Sequence, residues 1–261
     1  MPNYAELQVI SNFSFLRGAS HPQELMAAAH EYGHYAIALT DRNTLSGIVL
    51  AHSTLKKMSA GGARFIVGCR LDFSNGESLL CYPSNRKAYG RLTQLLTLGR
   101  RRAGKGECVL ELADIADYAE GQCFVLPFPQ VLNDAARAHI QHCADSFRGN
   151  LYLALTHFYR GDDKQWIRTV ADFARSLSIP TVVTNDILYH HPERKMLEDV
   201  VTCIREKCAL TEAGFRLDAN AERYLKSPQE MARIFKAWPD ALEATIEIAD
   251  RCGFSLDELR Y

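Results

Sequence analysis

Short apolar runs rich in β-branched and aromatic residues alternate along the chain with longer segments whose apolar residues recur at helical spacing. Most of the short runs are apolar at nearly every position, a pattern typical of strands covered on both faces. We predict strands over residues 5–10, 35–40, 65–73, 78–82, 123–127, 151–155 and 181–184. We predict helices over residues 21–32, 44–58, 86–97, 131–146, 163–177 and 193–206. This alternation favours a parallel α/β fold, either a barrel or a doubly wound sheet.

The strand pattern stops near residue 208, and the remainder of the chain is helical in character. Residues 227–237 and 239–252 predict two helices, because each begins with a proline beside acidic or polar residues that favour a helix N-terminus. We therefore divide the chain into a β/α domain over residues 1–208 and a helical C-terminal extension over residues 209–261.

The composition is that of a water-soluble globular protein. Of the 261 residues, 47% are hydrophobic and 23% are charged, and the formal net charge is −1. No apolar run approaches the roughly 20 residues that a membrane-spanning helix needs, so we expect no membrane partner. A net charge near zero argues against a protein devoted entirely to coating nucleic acid. The first residues show no secretory signal, which leads us to expect a cytoplasmic protein.

Several common chemical motifs are missing from the sequence. The eight cysteines are scattered, without a Cys-x-x-Cys pair or alternating Cys and His spacing, so we expect neither a structural zinc site nor disulfides. The sequence also has no Gly-x-Ser-x-Gly nucleophile motif, no phosphate-binding P-loop and no Gly-x-Gly-x-x-Gly after the first strand. The residues alone therefore predict no complete catalytic constellation.

The one dense run of positive charge is Arg100-Arg101-Arg102, which lies between Gly99 and Gly104. These arginines could contact the phosphates of DNA. A basic run flanked by glycines is more often a solvated loop, and we favour that interpretation.

In parallel α/β folds the reactive groups collect just beyond the C-terminal ends of the strands. Two carboxylates, Asp41 and Asp186, each follow an apolar run. They could be metal ligands or a general acid–base pair, or they could be helix caps and loop anchors. The cations Arg42 and Arg70 favour a third interpretation, in which the carboxylates pair with arginines. Four further polar residues lie near the same expected rim: Asn12, His157, Asn185 and His190.

Two N-terminal segments resemble a known family. Residues 4–22 and 36–47 are similar to the opening motifs of the polymerase and histidinol phosphatase (PHP) domain of bacterial C-family DNA polymerases, the family related to the DNA polymerase III α subunit. The hexapeptide Phe-Leu-Arg-Gly-Ala-Ser at 15–20 resembles the error-prone, damage-tolerant branch, as do residues 189–206 and 212–225. The resemblance extends over essentially the whole chain. It implies an α/β fold of the PHP type, a distorted (β/α)7 TIM-like barrel with C-terminal helices.

The resemblance also implies a metal site that has lost most of its ligands. The family's ligand positions fall on Gln8, Ile10, Asp41, Arg42, Arg70, Asp186 and Leu188. Only the two aspartates match the family pattern. The apolar side chains cannot bind a metal, and the arginines bring positive charge to the place of a cation. We therefore expect no metal and no catalytic residue in this domain, and a structural role in supporting a polymerase.

A longer parent protein is implied as well, a DNA-directed DNA polymerase that adds nucleotides with a divalent metal, Mg²⁺, in a separate domain. The expected partners are the rest of the polymerase chain, DNA and proteins of the damage response. Two alternatives remain open. One is an active metal-dependent phosphoesterase or 3′–5′ proofreading exonuclease. The other is a module that docks a protein or single-stranded DNA through residues 100–102.

Overall fold

The computed structural model describes residues 2–58 and 62–259. Within them the strands are β1 (Ala5–Glu6), β2 (Ala36–Leu39), β3 (Arg64–Val67), β4 (Cys69–Asp72), β5 (Ser78–Pro83), β6 (Gln122–Leu126), β7 (Leu151–Leu155) and β8 (Thr181–Val183). The α-helices are α1 (Pro22–Glu31), α2 (Ile48–Lys57), α3 (Arg86–Arg101), α4 (Asp134–Ser146), α5 (Asp163–Ser176), α6 (Lys195–Glu206), α7 (Pro228–Ile234) and α8 (Pro239–Arg251). Every predicted strand and helix overlaps an observed one.

The strands form a closed ring. Strands β1, β2 and β3 pair in parallel, and β4 to β8 form a second sheet in sequential order. Single parallel bridges, Val9 with Ile187 and Arg42 with Arg70, join the two sheets beyond the ends of β1 and β2. Because only Gly68 separates β3 from β4, these two act as one bent strand, and the ring is the expected distorted (β/α)7 barrel.

One strand runs against the others. Strand β5 pairs antiparallel with both β4 and β6, so the expectation of a parallel sheet is wrong at this position. The cause is the short connection after β4, in which Phe73 N–H donates to Glu77 O at 2.9 Å and Gly76 adopts a φ of 87°. A parallel crossover needs about a dozen residues, whereas this turn has the length of a hairpin loop.

The predicted strand over residues 65–73 is divided by a close approach at Gly68. A Cβ atom there would lie 2.9 Å from Thr40 Cγ2 and 3.0 Å from the Tyr82 ring. Such distances are too short for a side chain, so glycine lets the chain bend between its neighbours and start a new pairing.

The basic run lies on a helix rather than in a loop. Helix α3 continues through Arg101, so the expected loop is wrong for Arg100 and Arg101, and Arg102 ends the helix. Glycine at position 99 lets the segment around Cys108 pack closely against the last turns of this helix, because a Cβ atom there would lie 2.6 Å from Cys108 Sγ. Arginines in the last turn are also favourable beside the negative end of the helix dipole.

The C-terminal helices share the core of the barrel. Helix α8 packs against β8 and β1, and Ala5 N–H donates to Thr245 Oγ1 at 3.3 Å. Met231, Phe235 and Ile248 belong to the same buried hydrophobic cluster as the central strands. The division at residue 208 stays a prediction, and both of its parts contribute to one core. No helix of the described residues is long and apolar enough to cross a membrane.

Candidate functional site

The C-terminal ends of several strands converge at one mouth of the barrel. Gln8 Nε2 donates to Asp186 Oδ1 at 2.8 Å, and Ile10 and Leu188 lie in one buried apolar cluster. Two adjacent cavities share Arg70 in their walls. The structure thus brings together the positions that the sequence singled out: Gln8, Ile10, Asp41, Arg42, Arg70, Asp186 and Leu188.

Asp41 is held by neutral donors. Its Oδ1 accepts hydrogen bonds from Ser11 N–H at 2.8 Å and from Ser14 Oγ at 2.6 Å, and its Oδ2 accepts one from Ser11 Oγ at 2.7 Å. Burial raises the pKa of Asp41, and these hydrogen bonds offset part of that rise. The expected pairing with an arginine is wrong for this residue, because two serines of the loop after β1 reach its carboxylate first. Asp41 therefore anchors that loop to the end of β2.

Asp186 does pair with an arginine, but with one that the sequence analysis missed. Arg223 Nη2 contacts Asp186 Oδ2, and Arg223 Nε donates to the Asp186 carbonyl at 3.0 Å. The other oxygen accepts the hydrogen bond from Gln8. Asp186 has a φ of 47°, an uncommon backbone conformation for a residue other than glycine. The carboxylate therefore ties the end of β8 both to β1 and to the segment around residue 223.

Arg42 and Arg70 share a different carboxylate. Arg42 Nε contacts Asp72 Oδ2, and Arg70 Nε donates to Asp72 Oδ1 at 3.0 Å. Asn43 holds Asp72 in place, because its Oδ1 accepts a hydrogen bond from Asp72 N–H at 3.0 Å. Asp72 was also missed from the sequence, because it lies inside the predicted strand over residues 65–73 and does not follow an apolar run.

A buried carboxyl lies beneath the mouth. Glu6 accepts hydrogen bonds from Tyr4 Oη at 2.7 Å, from Gln8 N–H at 3.0 Å and from Asn185 N–H at 3.3 Å. Burial raises the pKa of Glu6 to about 7. The Asn185 side chain in turn donates to the Tyr224 carbonyl at 2.7 Å. Glu6 and Asn185 therefore connect the first strand to the C-terminal region by hydrogen bonds inside the protein.

The remaining rim residues have local partners. His190 Nδ1 lies 2.7 Å from Ser20 Oγ, and His157 Nδ1 lies 3.8 Å from Asp163 Oδ1. Burial lowers the pKa of both histidines. Asn12 is exposed. These residues surround the mouth without converging on one point.

Comparison with known proteins identifies the family. The profile of the PHP domain matches residues 6–158. The chain belongs to the PHP domain family. Its sequence is 50% identical to the error-prone DNA polymerase of Caulobacter vibrioides, over 99% of this chain and 24% of that protein. It is 45% identical to error-prone DNA polymerase 1 of Agrobacterium fabrum, over 100% of this chain and 24% of that protein. The PHP domain described here thus spans about a quarter of the length of these relatives.

A solved structure shares the fold. An amidohydrolase from Chromobacterium violaceum superimposes with a TM-score of 0.53 at 17% sequence identity, over 71% of this chain and 87% of that one. At this identity the likeness concerns the fold alone, and it agrees with the PHP-type barrel seen here.

The metal cluster that the PHP resemblance implies does not fit the residues present. Among residues 2–58 and 62–259, no three His, Cys, Asp or Glu side chains gather as a metal site would require. Both oxygens of Asp41 accept hydrogen bonds, and those of Asp186 face Gln8 and Arg223. Arg42 lies in the same mouth and would repel a cation. The donor set therefore suits hydrogen bonding within the protein rather than coordination.

The three arginines of the basic run do not form one patch. Arg100 Nη2 donates to the Asn43 carbonyl at 3.1 Å and lines a cavity beside the mouth. Arg102 Nη1 donates to Asp114 at 2.6 Å, and Arg101 and Arg102 line a separate cavity. Successive residues of a helix point in different directions, which is why a run that is dense in sequence is divided in space.

Proposed function

We propose that this chain is the PHP domain of an error-prone DNA polymerase, and that it supports the polymerase structurally without hydrolysing phosphate esters. The parent would be a cytoplasmic DNA-directed DNA polymerase active on damaged DNA. Its partners would be DNA and proteins of the damage response. The Mg²⁺ for nucleotide addition would be held in another domain. The identity to two error-prone polymerases over nearly the whole chain supports this proposal.

One observation carries the structural role. Both aspartates that match PHP ligand positions have their carboxylates occupied by donors of the protein itself, from Ser11 and Ser14 at one and from Gln8 and Arg223 at the other. Each contact joins segments that are distant in sequence. The arrangement performs the cross-linking that a metal cluster would otherwise provide, and it leaves neither aspartate free to activate water.

An exposed apolar face supports attachment to the rest of a polymerase. Met196, Val200 and Ile204 recur at four-residue spacing on α6, and they are 74%, 41% and 57% exposed. Phe215 is fully exposed in the segment after this helix. Exposed apolar side chains of this kind favour burial against another protein surface, and we assign that surface to the remaining three quarters of the polymerase chain.

The structural role is tested on the full-length protein. We expect primer extension, no stoichiometric zinc or manganese bound to the PHP domain, and no turnover of a phosphate ester or of 3′-mismatched DNA. Tightly bound metal together with hydrolysis that is lost in Asp41→Ala would establish the phosphoesterase or exonuclease alternative instead.

The proposed docking surface on α6 is tested by introducing negative charges into it. The double substitution Val200→Asp with Ile204→Asp should lower the thermal stability and the primer extension of the full-length protein, because it places charges in an apolar interface. Val49→Asp is the matched control, since Val49 is 63% exposed on a different helix. Equal behaviour of the two variants would remove the support for docking through α6.

Binding of single-stranded DNA is a second candidate function. Phe15 is 83% exposed, and with Phe13 and Arg100 it lines a cavity of about 520 Å³. Aromatic and cationic side chains together are typical of surfaces on which bases stack. Phe15→Ala and Arg100→Ala should each weaken oligonucleotide binding. Binding by Arg100→Ala should also depend less on salt concentration than binding by the parent protein, because one phosphate contact is lost. Unchanged binding in both variants would exclude this surface.

A further inference from the structure

The second cavity of the barrel mouth is lined mainly by arginines. It has a volume of about 110 Å³, and six of its eleven lining residues are Arg17, Arg42, Arg70, Arg205, Arg216 and Arg223. Four of these positions, Arg17, Arg205, Arg216 and Arg223, lie outside the PHP ligand pattern. Hereafter this cavity is called the arginine cleft.

Several guanidinium groups in the arginine cleft have N–H donors to spare. Arg42 and Arg70 contact Asp72 only through Nε, and the described residues offer no hydrogen-bond partner to their terminal nitrogens. Arg17 is half-buried, and within the same part of the chain its side chain has neither an ion pair nor a hydrogen bond. Each guanidinium carries five N–H groups in a planar fork, so the cleft presents an excess of donors.

These arginines are held close together despite their like charge. Arg205 is fixed by Glu206 at 3.0 Å and by the Leu16 carbonyl at 2.7 Å, which places it beside the loop that carries Arg17. Burial lowers the pKa of Arg17 to about 10, with further contributions from Arg42 and Arg205. Guanidinium groups repel one another at such short range, and an anion between them would relieve this repulsion.

The lining of the cleft also includes one acceptor. Glu198 is 5% exposed, and its Oε2 has no hydrogen-bond partner among the described residues, although Lys195 Nζ lies 3.7 Å away. Its Oε1 accepts a hydrogen bond from Thr202 at 2.8 Å. The other acidic lining residue, Asp218, is engaged by Arg223 at 3.2 Å. A ligand that satisfies both the guanidinium groups and Glu198 must be an anion that also carries a proton.

We propose that the arginine cleft binds one inorganic phosphate ion, with Arg17, Arg42 and Arg205 as donors to its oxygens and Glu198 as acceptor of its proton. The cleft has a volume of about 110 Å³, which leaves room for one tetrahedral ion. Guanidinium forks match phosphate geometry and need no metal for binding. The ion is only bound, and no bond of it is broken. The proposal does not depend on the polymerase assignment.

The proton distinguishes the possible anions. Inorganic phosphate keeps at least one proton at neutral pH, whereas a phosphate monoester loses its last proton with a pKa of about 6. Sulfate carries no proton at this pH. Glu198 would therefore accept a hydrogen bond from inorganic phosphate and would repel the other two.

The experiment is calorimetric titration of the full-length protein at pH 7 with inorganic phosphate, sulfate and a nucleoside monophosphate, with and without EDTA. We expect phosphate to bind most tightly and EDTA to have no effect. Arg17→Gln should weaken phosphate binding by about tenfold or more, since it removes a charged donor. Arg168→Gln is the matched control, because Arg168 is exposed on α5 away from the cleft.

Glu198→Gln supplies a second readout. The amide can donate to a bare oxyanion, so the preference for phosphate over sulfate should disappear while overall binding persists. Circular dichroism of each variant confirms folding. The absence of saturable phosphate binding, binding abolished by EDTA, or equal affinity in Arg17→Gln and Arg168→Gln would overturn the site. A preference for phosphate that survives Glu198→Gln would overturn the role of that residue.

Discussion

Asp41 and Asp186 end two strands at the same mouth of the barrel, yet the protein neutralises them differently. Asp41 is 1% exposed and is held by hydroxyl and amide donors, whereas the Asp186 side chain is 13% exposed and faces a guanidinium. Burying an ion pair is costly, because both charges lose water. Neutral donors therefore stabilise the fully buried Asp41, and a cation stabilises Asp186, which solvent still reaches.

The largest effect should come from removing Asp41. Asp41→Ala would leave the Ser11 N–H and the hydroxyl groups of Ser11 and Ser14 buried without an acceptor, so we expect a loss of about 3–5 kcal/mol in the free energy of unfolding. Urea denaturation of the 261-residue chain measures it. Asp41→Asn keeps one acceptor oxygen and should lose roughly half as much. Equal stability of Asp41→Ala and the parent would contradict the role of the serines.

The Asp186 half of the mouth should respond to pH near neutrality through Glu6. A carboxyl whose pKa is raised on folding, here from 4.5 to about 7, stabilises the fold fully below pH 4.5, and this contribution is lost as the pH rises through 7. The loss should be about 3 kcal/mol at most. Denaturation at several pH values between 4.5 and 8 measures it. Glu6→Gln should flatten this part of the profile, and an unchanged slope would show that another group titrates.

Breaking the ion pair at Asp186 should cost less than removing Asp41, since solvent reaches both partners. We expect Arg223→Ala and Asp186→Ala each to lower the free energy of unfolding by about 2–3 kcal/mol. The double variant should lose less than the sum of the two, with a coupling of about 1 kcal/mol. A double-mutant cycle by urea denaturation measures this, and strict additivity would argue against the pair.

The smallest expected effect is on metal binding by the mouth of the barrel. Gln8→His returns one imidazole to the mouth, but Asp186 remains engaged by Arg223, and Arg42 and Arg70 still repel a cation. We therefore expect no stoichiometric zinc binding by calorimetry. Micromolar zinc affinity in this single variant would show that the arginines can move aside.

The sequence predicted the order of strands and helices and the positions at the mouth, because both depend on local patterns. Apolar runs mark buried strands, and residues just after them lie at one end of a barrel. The reversal of β5 was not predicted, since its cause is a short turn at Gly76 whose direction a run of apolar residues does not encode.

The partners of the mouth residues were harder to predict. Arg223 reaches Asp186 across 37 positions, and Ser14 reaches Asp41 across 27. Such pairings depend on the folded path of the chain rather than on spacing. Asp72 lies inside the predicted strand over residues 65–73, so its position carries no such signal. Arg17 belongs to the hexapeptide at 15–20, but nothing in that pattern indicates which residues it lies beside in the fold.

The two sheets of the ring meet through single bridges, at Val9 with Ile187 and at Arg42 with Arg70. A seam with so few backbone hydrogen bonds opens at a lower free energy than a continuous ladder. The seam at Val9 and Ile187 is therefore expected to open first in native-state hydrogen exchange, because at the other seam Gly68 joins β3 directly to β4. Amide protons at the seams would exchange before those within either sheet, and the side chains of Asp41 and Asp186 would set how rarely the ring opens.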